Sequence, residues 1–122
     1  MNEFSNKVVI VTGGGKGVGL GITRCFLAQR ATVIVCSRSE LEELPEVNGN
    51  RAHFVSADVR DVEQINSVID YAKNTFGRVD VLVNNAGTTH FIPHTDLDAV
   101  TDAIWDEIFQ VNLKGAFYAC RA

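Results

Sequence analysis

The sequence predicts an α/β fold: a doubly wound sheet of parallel strands with helices on both faces. Short apolar, β-branched runs at 7–12, 32–36, 53–57 and 79–83 alternate with longer stretches of helical period. Such alternation folds through right-handed strand–helix–strand crossovers into a parallel sheet. A glycine cluster, Thr12-Gly13-Gly14-Gly15-Lys16-Gly17-Val18-Gly19-Leu20-Gly21, joins the first apolar run to the first helical stretch. The chain has 122 residues, fewer than the roughly 150 of an average domain, so a second folded domain is excluded. Its composition, 46% apolar and 21% charged, excludes a disordered tail, a collagen-like rod and a disulfide scaffold.

Each element has a local reason. KVVIVT at 7–12 is apolar on both faces, as a strand between two helical layers must be. Val18, Ile22, Cys25, Phe26 and Gln29 fall three and four apart and predict a helix to about Arg30. TVIVC at 32–36 is the second buried strand. A short helix is expected over 39–44, ahead of Pro45, and then a turn at Asn48-Gly49-Asn50. HFVSA at 53–57 reads as the third strand. Asp61 with Gln64 three residues on resembles a capping box. Behind it Val62, Ile65, Val68, Ile69, Ala72 and Phe76 form an apolar stripe that Gly77 ends. VDVLV at 79–83 is the fourth strand. Ile104, Trp105, Ile108, Val111, Leu113 and Ala116 predict helix from about Thr101, with Trp105, Phe109 and Phe117 spaced to pack on one face. This last helix reaches Ala122 without a stop signal, and the fourth strand reads as central with no later strand beside it. The expectation is one dinucleotide-binding domain over 1–122, cut within the helix that carries Asn112.

The chemistry starts at the glycines. Between a buried strand and an amphipathic helix, glycines let backbone N–H groups approach a pyrophosphate at a helix N-terminus. The spacing is G-x-x-x-G-x-G through Gly13, Gly17 and Gly19, so neither G-x-G-x-x-G nor the phosphate loop ending in Lys-Ser/Thr fits. Taken alone, the cluster also suits a tight turn that binds nothing, or a methyltransferase loop. The second strand ends in Val35-Cys36-Ser37-Arg38. An acid in that region accepts from a ribose 2′-OH and repels a 2′-phosphate. Here Ser37 stands in its place and Arg38, able to bind phosphate bidentately, follows. The expected cofactor is therefore NADP, with NAD second. Glu40 is the acid that would support NAD.

Four motifs, Thr12-Gly13-x-x-x-Gly17-x-Gly19, Asp58-Val59, Asn84-Asn85-Ala86-Gly87 and Val111-Asn112-Leu113, resemble the short-chain dehydrogenase/reductase family in order and spacing. The resemblance runs from Lys7 to the end and covers about half of a usual family domain. It implies a Rossmann-like fold and a nicotinamide-dependent interconversion of carbonyl and alcohol. By the same resemblance Gly13, Gly17 and Gly19 form the floor under the pyrophosphate, Thr12 holds the turn, Lys16 faces the 2′-phosphate, and Gly15 and Val18 belong to the cofactor-binding set. Asp58 and Val59 match adenine contacts, although a strand-end cap also explains Asp58. Asn85, Ala86 and Gly87 match the ribose wall, with Val111 further along the cleft. Asn112 matches the helix asparagine that holds a water in a proton relay, and a buried residue bonded to backbone explains it equally.

One departure is large. The family's Ser and Tyr-x-x-x-Lys lie downstream of that asparagine, and here Tyr71 is followed by Thr75 and Tyr118 by Ala122. Without a tyrosine acid and a lysine to lower its pKa, the chain alone is expected to be inactive. The alternative is a non-catalytic nucleotide-binding or dimerising fragment. A small carbonyl or alcohol substrate and a homo-oligomer are expected. With a net charge of −4 and no basic run, nucleic acid is not an expected partner. Lacking a long apolar stretch or a signal-like start, the chain is expected in the cytoplasm, away from membranes. Cys25, Cys36 and Cys120 form no metal-ligand spacing. His90 and His94 are four apart but straddle Pro93, so no metal is expected and both read as loop residues, possible liners of the cleft mouth. His53 reads as structural, and the acids at 40, 42, 43 and 46 as a solvated face.

Overall fold

The computed structural model describes residues 3–122. Its strands and helices are β1 (Val8–Thr12), α1 (Gly17–Ala28), β2 (Thr32–Ser37), β3 (Glu46–Val47), β4 (Asn50–Arg51), β5 (His53–Ser56), α2 (Val62–Phe76), β6 (Val81–Val83), α3 (Asp102–Phe109) and α4 (Gly115–Arg121). A short 3-10 turn at Leu97–Ala99 precedes α3, and a π-turn at Gln110–Lys114 joins α3 to α4. The main sheet is parallel throughout, in the order β5-β2-β1-β6, with Ile10 between Ile34 and Leu82.

Both faces of the sheet are covered, as expected for a doubly wound sheet. Val9, Val11, Val33 and Val35 point to one side and pack with Leu27 of α1 and with Ala31. Val8, Ile10, Ile34 and Cys36 point to the other and pack with Val68, Ile69 and Ala72 of α2. Period-two alternation across apolar strands therefore builds two cores from one sheet. Chain order moves outward from β1 through β2 to β5, then jumps to β6 on the far side of β1. That reversal opens a crevice beyond the carboxyl ends of β1 and β6, where open α/β sheets bind ligands.

The cap of α2 forms in a modified way. Asp61 accepts from the N–H groups of Glu63 and Gln64 at 3.0 and 3.3 Å. The Gln64 amide donates to Asp61 at 3.1 Å and accepts from the Asp58 N–H at 2.9 Å, instead of returning to the Asp61 N–H. Gly77 ends the helix at φ 81°, a left-handed C-terminal position that suits glycine. His53 stacks on Phe76, 4.9 Å between ring centres, which fits its structural reading.

Several expectations need correction. α1 ends at Ala28, and its fully buried residues are Gly19, Thr23 and Leu27; of the expected stripe Ile22 and Phe26 pack on the core, whereas Val18 and Cys25 are exposed. The stripe is displaced because the helix is drawn in through small residues: the Thr23 hydroxyl donates to the Gly14 carbonyl at 3.0 Å. No helix forms over 39–44. Leu41 instead packs toward the α1 core, and the chain continues into the β3–β4 hairpin. Asn48 and Gly49, at φ 50° and 80°, make its two-residue turn, as their left-handed tolerance allows. Asn50 then donates to the carbonyls of Leu27 and Ala31 at 3.1 and 2.8 Å and closes the end of α1. The helix after Thr101 is interrupted by the π-turn. Trp105, Phe109 and Phe117 are 58%, 43% and 56% exposed, so the expected packing face stays largely open, its contacts being local ones such as Trp105 on Phe109 and Arg121 over Phe117.

Candidate functional site

The carboxyl ends of the strands open onto a cleft of about 430 Å³. Its floor is the glycine loop. Gly13 turns at φ 66° and donates its N–H to the Cys36 carbonyl at 2.8 Å, tying the loop to β2. A Cβ on Gly19 would stand 2.2 Å from the Gly13 carbonyl oxygen, so α1 approaches the loop only because this residue has no side chain. Gly17, at φ 51°, has no heavy atom within 4 Å of where its Cβ would be and faces open space. Lys16 begins α1 in an extended conformation and makes no side-chain cap. The first N–H groups of α1 thus lack a side-chain acceptor at the end of the helix that favours anions.

Thr12 fastens the loop to the opposite wall. Its buried hydroxyl accepts from the Asn85 and Ala86 N–H groups, both at 3.0 Å, and lies 3.4 Å from the Val83 carbonyl that it donates to. The Asn85 amide donates to the Gly13 carbonyl at 3.1 Å. Two chain segments about 70 positions apart are in this way held in fixed register at the crevice.

Ser37, Arg38, Glu40 and Leu41 form one wall, Asp58 and Val59 the next, and Ala86, Gly87, Thr88, Glu107 and Val111 the last. Arg60 donates from Nε and Nη2 to Asp58, the shortest contact being 2.7 Å. These bonds hold the Asp58 carboxyl below its ordinary range against a smaller opposing effect of burial. Glu107 is likewise lowered, first by its bond to His90, which places Nε2 2.5 Å from Oε2. Lys16 and Arg38, by contrast, have no carboxylate within 4.0 Å among the described residues. Burial pushes the Cys36 thiol up to about 12, so it is no nucleophile despite lining the cleft.

A family model described as short chain dehydrogenase matches residues 7–122. The chain belongs to the short-chain dehydrogenase family. Among its relatives, a probable galactose dehydrogenase of Rhizobium meliloti is 36% identical over 126 residues, covering 98% of this chain and 48% of that protein. An L-fucose dehydrogenase of Oryctolagus cuniculus is 34% identical, covering 98% and 42%. The solved structure of Thermoplasma acidophilum aldohexose dehydrogenase in ligand-free form superposes with a TM-score of 0.85 at 30% identity, covering 98% of this chain and 44% of that one. The chain spans about half the length of the relatives it matches.

Within this family framework, Gly13, Gly15, Lys16, Gly17, Ser37, Arg38, Asp58, Val59, Asn85, Ala86, Gly87 and Val111 all line one cleft. Thr12 and Gly19 lie behind its floor as scaffold, and Val18 is on the exposed side of α1. Asn112 departs from the buried reading. It is exposed, yet its amide accepts from the Thr88 N–H at 2.7 Å and donates to the Thr88 carbonyl at 2.9 Å. It sits inside the π-turn, a helix irregularity frequent at functional sites. Together with His90–Glu107 it fastens the segment after β6 to α3 and the π-turn. His94 is exposed, and no group of three metal-ligating side chains exists among the described residues. No described helix is long and apolar enough to cross a membrane. The sequence reading missed Arg60 and Glu107. Arg60, two residues after Asp58, was a local signal, whereas Glu107 meets His90 across 17 positions of chain.

Proposed function

We propose that this chain is the cofactor-binding part of an oxidoreductase that interconverts a carbonyl and an alcohol by hydride transfer, with NADP preferred over NAD. The observation that carries the cofactor choice is the pair of cations Lys16 and Arg38, both on the cleft and both without an ionic partner among the described residues. A 2′-phosphate between them meets two charges and a planar donor fork. The fit to a dinucleotide is supported by the uncapped start of α1 and by the side-chain-free approach at Gly17. Gly13, Gly17 and the α1 terminus would hold the pyrophosphate, Asp58 and Val59 the adenine, and Asn85 to Gly87 the ribose wall. When bound, the nicotinamide supplies or accepts the hydride. Asn112 fixes the Thr88 backbone beside that wall. The named relatives make a sugar the first substrate class to assay. The exposed face of Trp105, Leu113 and Phe117 supports association into a homo-oligomer.

Calorimetric titration of both dinucleotides tests the cofactor choice. A hydrogen bond to a charged group contributes about 1.5–3 kcal/mol, or about 10- to 150-fold in affinity. Arg38→Ala is expected to weaken NADP at least about tenfold and leave NAD nearly unchanged, and Ser37→Asp to reverse the preference. Tighter binding of NAD than NADP by the unmodified protein sinks the assignment and points to Glu40. No carbonyl reduction is expected from the 122-residue chain alone. Steady NADPH oxidation that tracks the pure chain and survives Asn112→Ala overturns that expectation.

A further inference from the structure

Asp58 and Arg60 stand in unequal positions. Asp58 is on the cleft wall, whereas Arg60 is not among the residues that line it. The guanidinium backs the carboxylate from outside. Nε lies 3.1 and 3.2 Å from the two oxygens and Nη2 2.7 Å from Oδ2, while the Arg60 N–H donates to Oδ1 at 2.9 Å. The corner that carries the pair is anchored from two helical segments. Gln64 of α2 accepts from the Asp58 N–H at 2.9 Å, and Gln110 of the π-turn donates to the Arg60 carbonyl at 3.4 Å.

Three physical consequences follow. A forked guanidinium on a carboxylate fixes the plane of the carboxylate as well as neutralising it. Near neutral pH the Asp58 carboxyl is ionised with or without its partner, Arg60 shifts it further the same way, and an ionised carboxylate only accepts hydrogen bonds. It also offsets the charge that Asp58 and neighbouring Glu107 would otherwise present together to an anionic ligand, since both line the cleft.

We propose that Arg60 is a positioning residue that fixes the orientation of the Asp58 carboxylate, an acceptor-only group, and so selects a purine bearing an exocyclic amino group over one bearing a carbonyl. Adenine offers a donor to that carboxylate. Hypoxanthine puts an oxygen in the same place, and two acceptors then face each other. The inference rests on the dinucleotide reading above and adds to it a residue that need not touch the ligand.

The test is calorimetric titration of the full chain with NADP and with its hypoxanthine analogue. The quantity read is the ratio of the two affinities, which a general loss of structure does not shift selectively. The unmodified protein is expected to favour the adenine form by about tenfold or more, and Asp58→Asn to bring the ratio near unity. Arg60→Ala is expected to reduce the ratio by at least about threefold with little change for the hypoxanthine form, and Arg60→Lys, which keeps charge but loses the fork, to restore part of it. Should Arg60→Ala fail to fold, Arg60→Lys must still give a ratio below that of the unmodified protein. An unchanged or larger ratio in the Arg60 variants overturns the proposal alone, because it makes Arg60 a bystander or a competitor for the carboxylate. A ratio near unity in the unmodified protein overturns it too. Failure of the unmodified protein to bind either dinucleotide overturns the dinucleotide reading and this inference with it.

Discussion

At the amino end of the sheet, Arg78 donates to one oxygen of Asp80 from Nε and Nη2 at 2.9 and 2.6 Å, and the other oxygen accepts from the Val8 N–H at 2.8 Å. At the carboxyl end, Arg60 holds both oxygens of Asp58. Both are aspartate–arginine pairs two residues apart, and both lower the aspartate pKa. They differ in what faces the second side of the carboxylate. Asp80 spends its free oxygen on the first N–H of the central strand, whereas Asp58 turns toward open cleft. The same pair thus closes the sheet at one end and prepares a ligand wall at the other.

The largest expected effect is at Thr12, a residue at the carboxyl end whose polar atom is consumed by the fold as Asp80 is. Thr12→Val strands the N–H groups of Asn85 and Ala86 and is expected to cost about 2–6 kcal/mol in urea unfolding, at about 1–3 kcal/mol for each unsatisfied donor. A loss below ~1 kcal/mol would break the division by showing that the two walls of the crevice do not depend on this hydroxyl.

Next come the aspartates themselves. Asp80→Ala is expected to lower the thermal midpoint more than Asp58→Ala, and Asp58→Ala to weaken dinucleotide binding more than Asp80→Ala. Equal effects in both assays would erase the distinction between the two ends.

Acid titration sharpens it further. Asp58 and Asp80 titrate in the folded chain below their ordinary value of 3.8, and Glu107 below 4.5. Their contribution to stability is complete above those ordinary values and is lost as pH falls through the lowered ones, because the unfolded chain then binds more protons. Asp80→Asn is expected to flatten the acid limb of the stability curve more than Asp58→Asn. An unchanged limb in Asp80→Asn would deny the amino-end carboxylate its structural role. The smallest effect is expected at the partly exposed His90–Glu107 pair. His90→Ala should leave the thermal midpoint nearly unchanged, since exposed ion pairs contribute little, and a large drop would place that pair with the fold.

What was legible in the sequence was what local chemistry determines. Asp61, Gln64 and Gly77 mark α2 because caps need particular side chains and a left-handed terminus. The four main strands stood out because a strand covered on both faces is apolar throughout. Arg38 was visible because its place follows from the length of one strand–helix–strand unit. The phase of α1 was not, because periodicity weighs hydrophobicity, and the residues pressed inward are Gly19 and Thr23, chosen for size. The aromatic spacing on α3 and α4 gave an apolar face without saying what meets it. The π-turn has no residue signature, and the Thr88–Asn112 contact is made by the topology, 24 positions apart.

The Cys36 thiol closes the end of β2 at 1% exposure with its pKa pushed up to about 12, while Cys25 and Cys120 lie on the surface. An alkylating reagent should therefore mark the two surface thiols at once and reach Cys36 only through an opening of the structure. The rate at which that third label arrives measures, without any added probe, how often the carboxyl end of the sheet comes apart. A ligand seated in the cleft would slow the label in proportion to its occupancy.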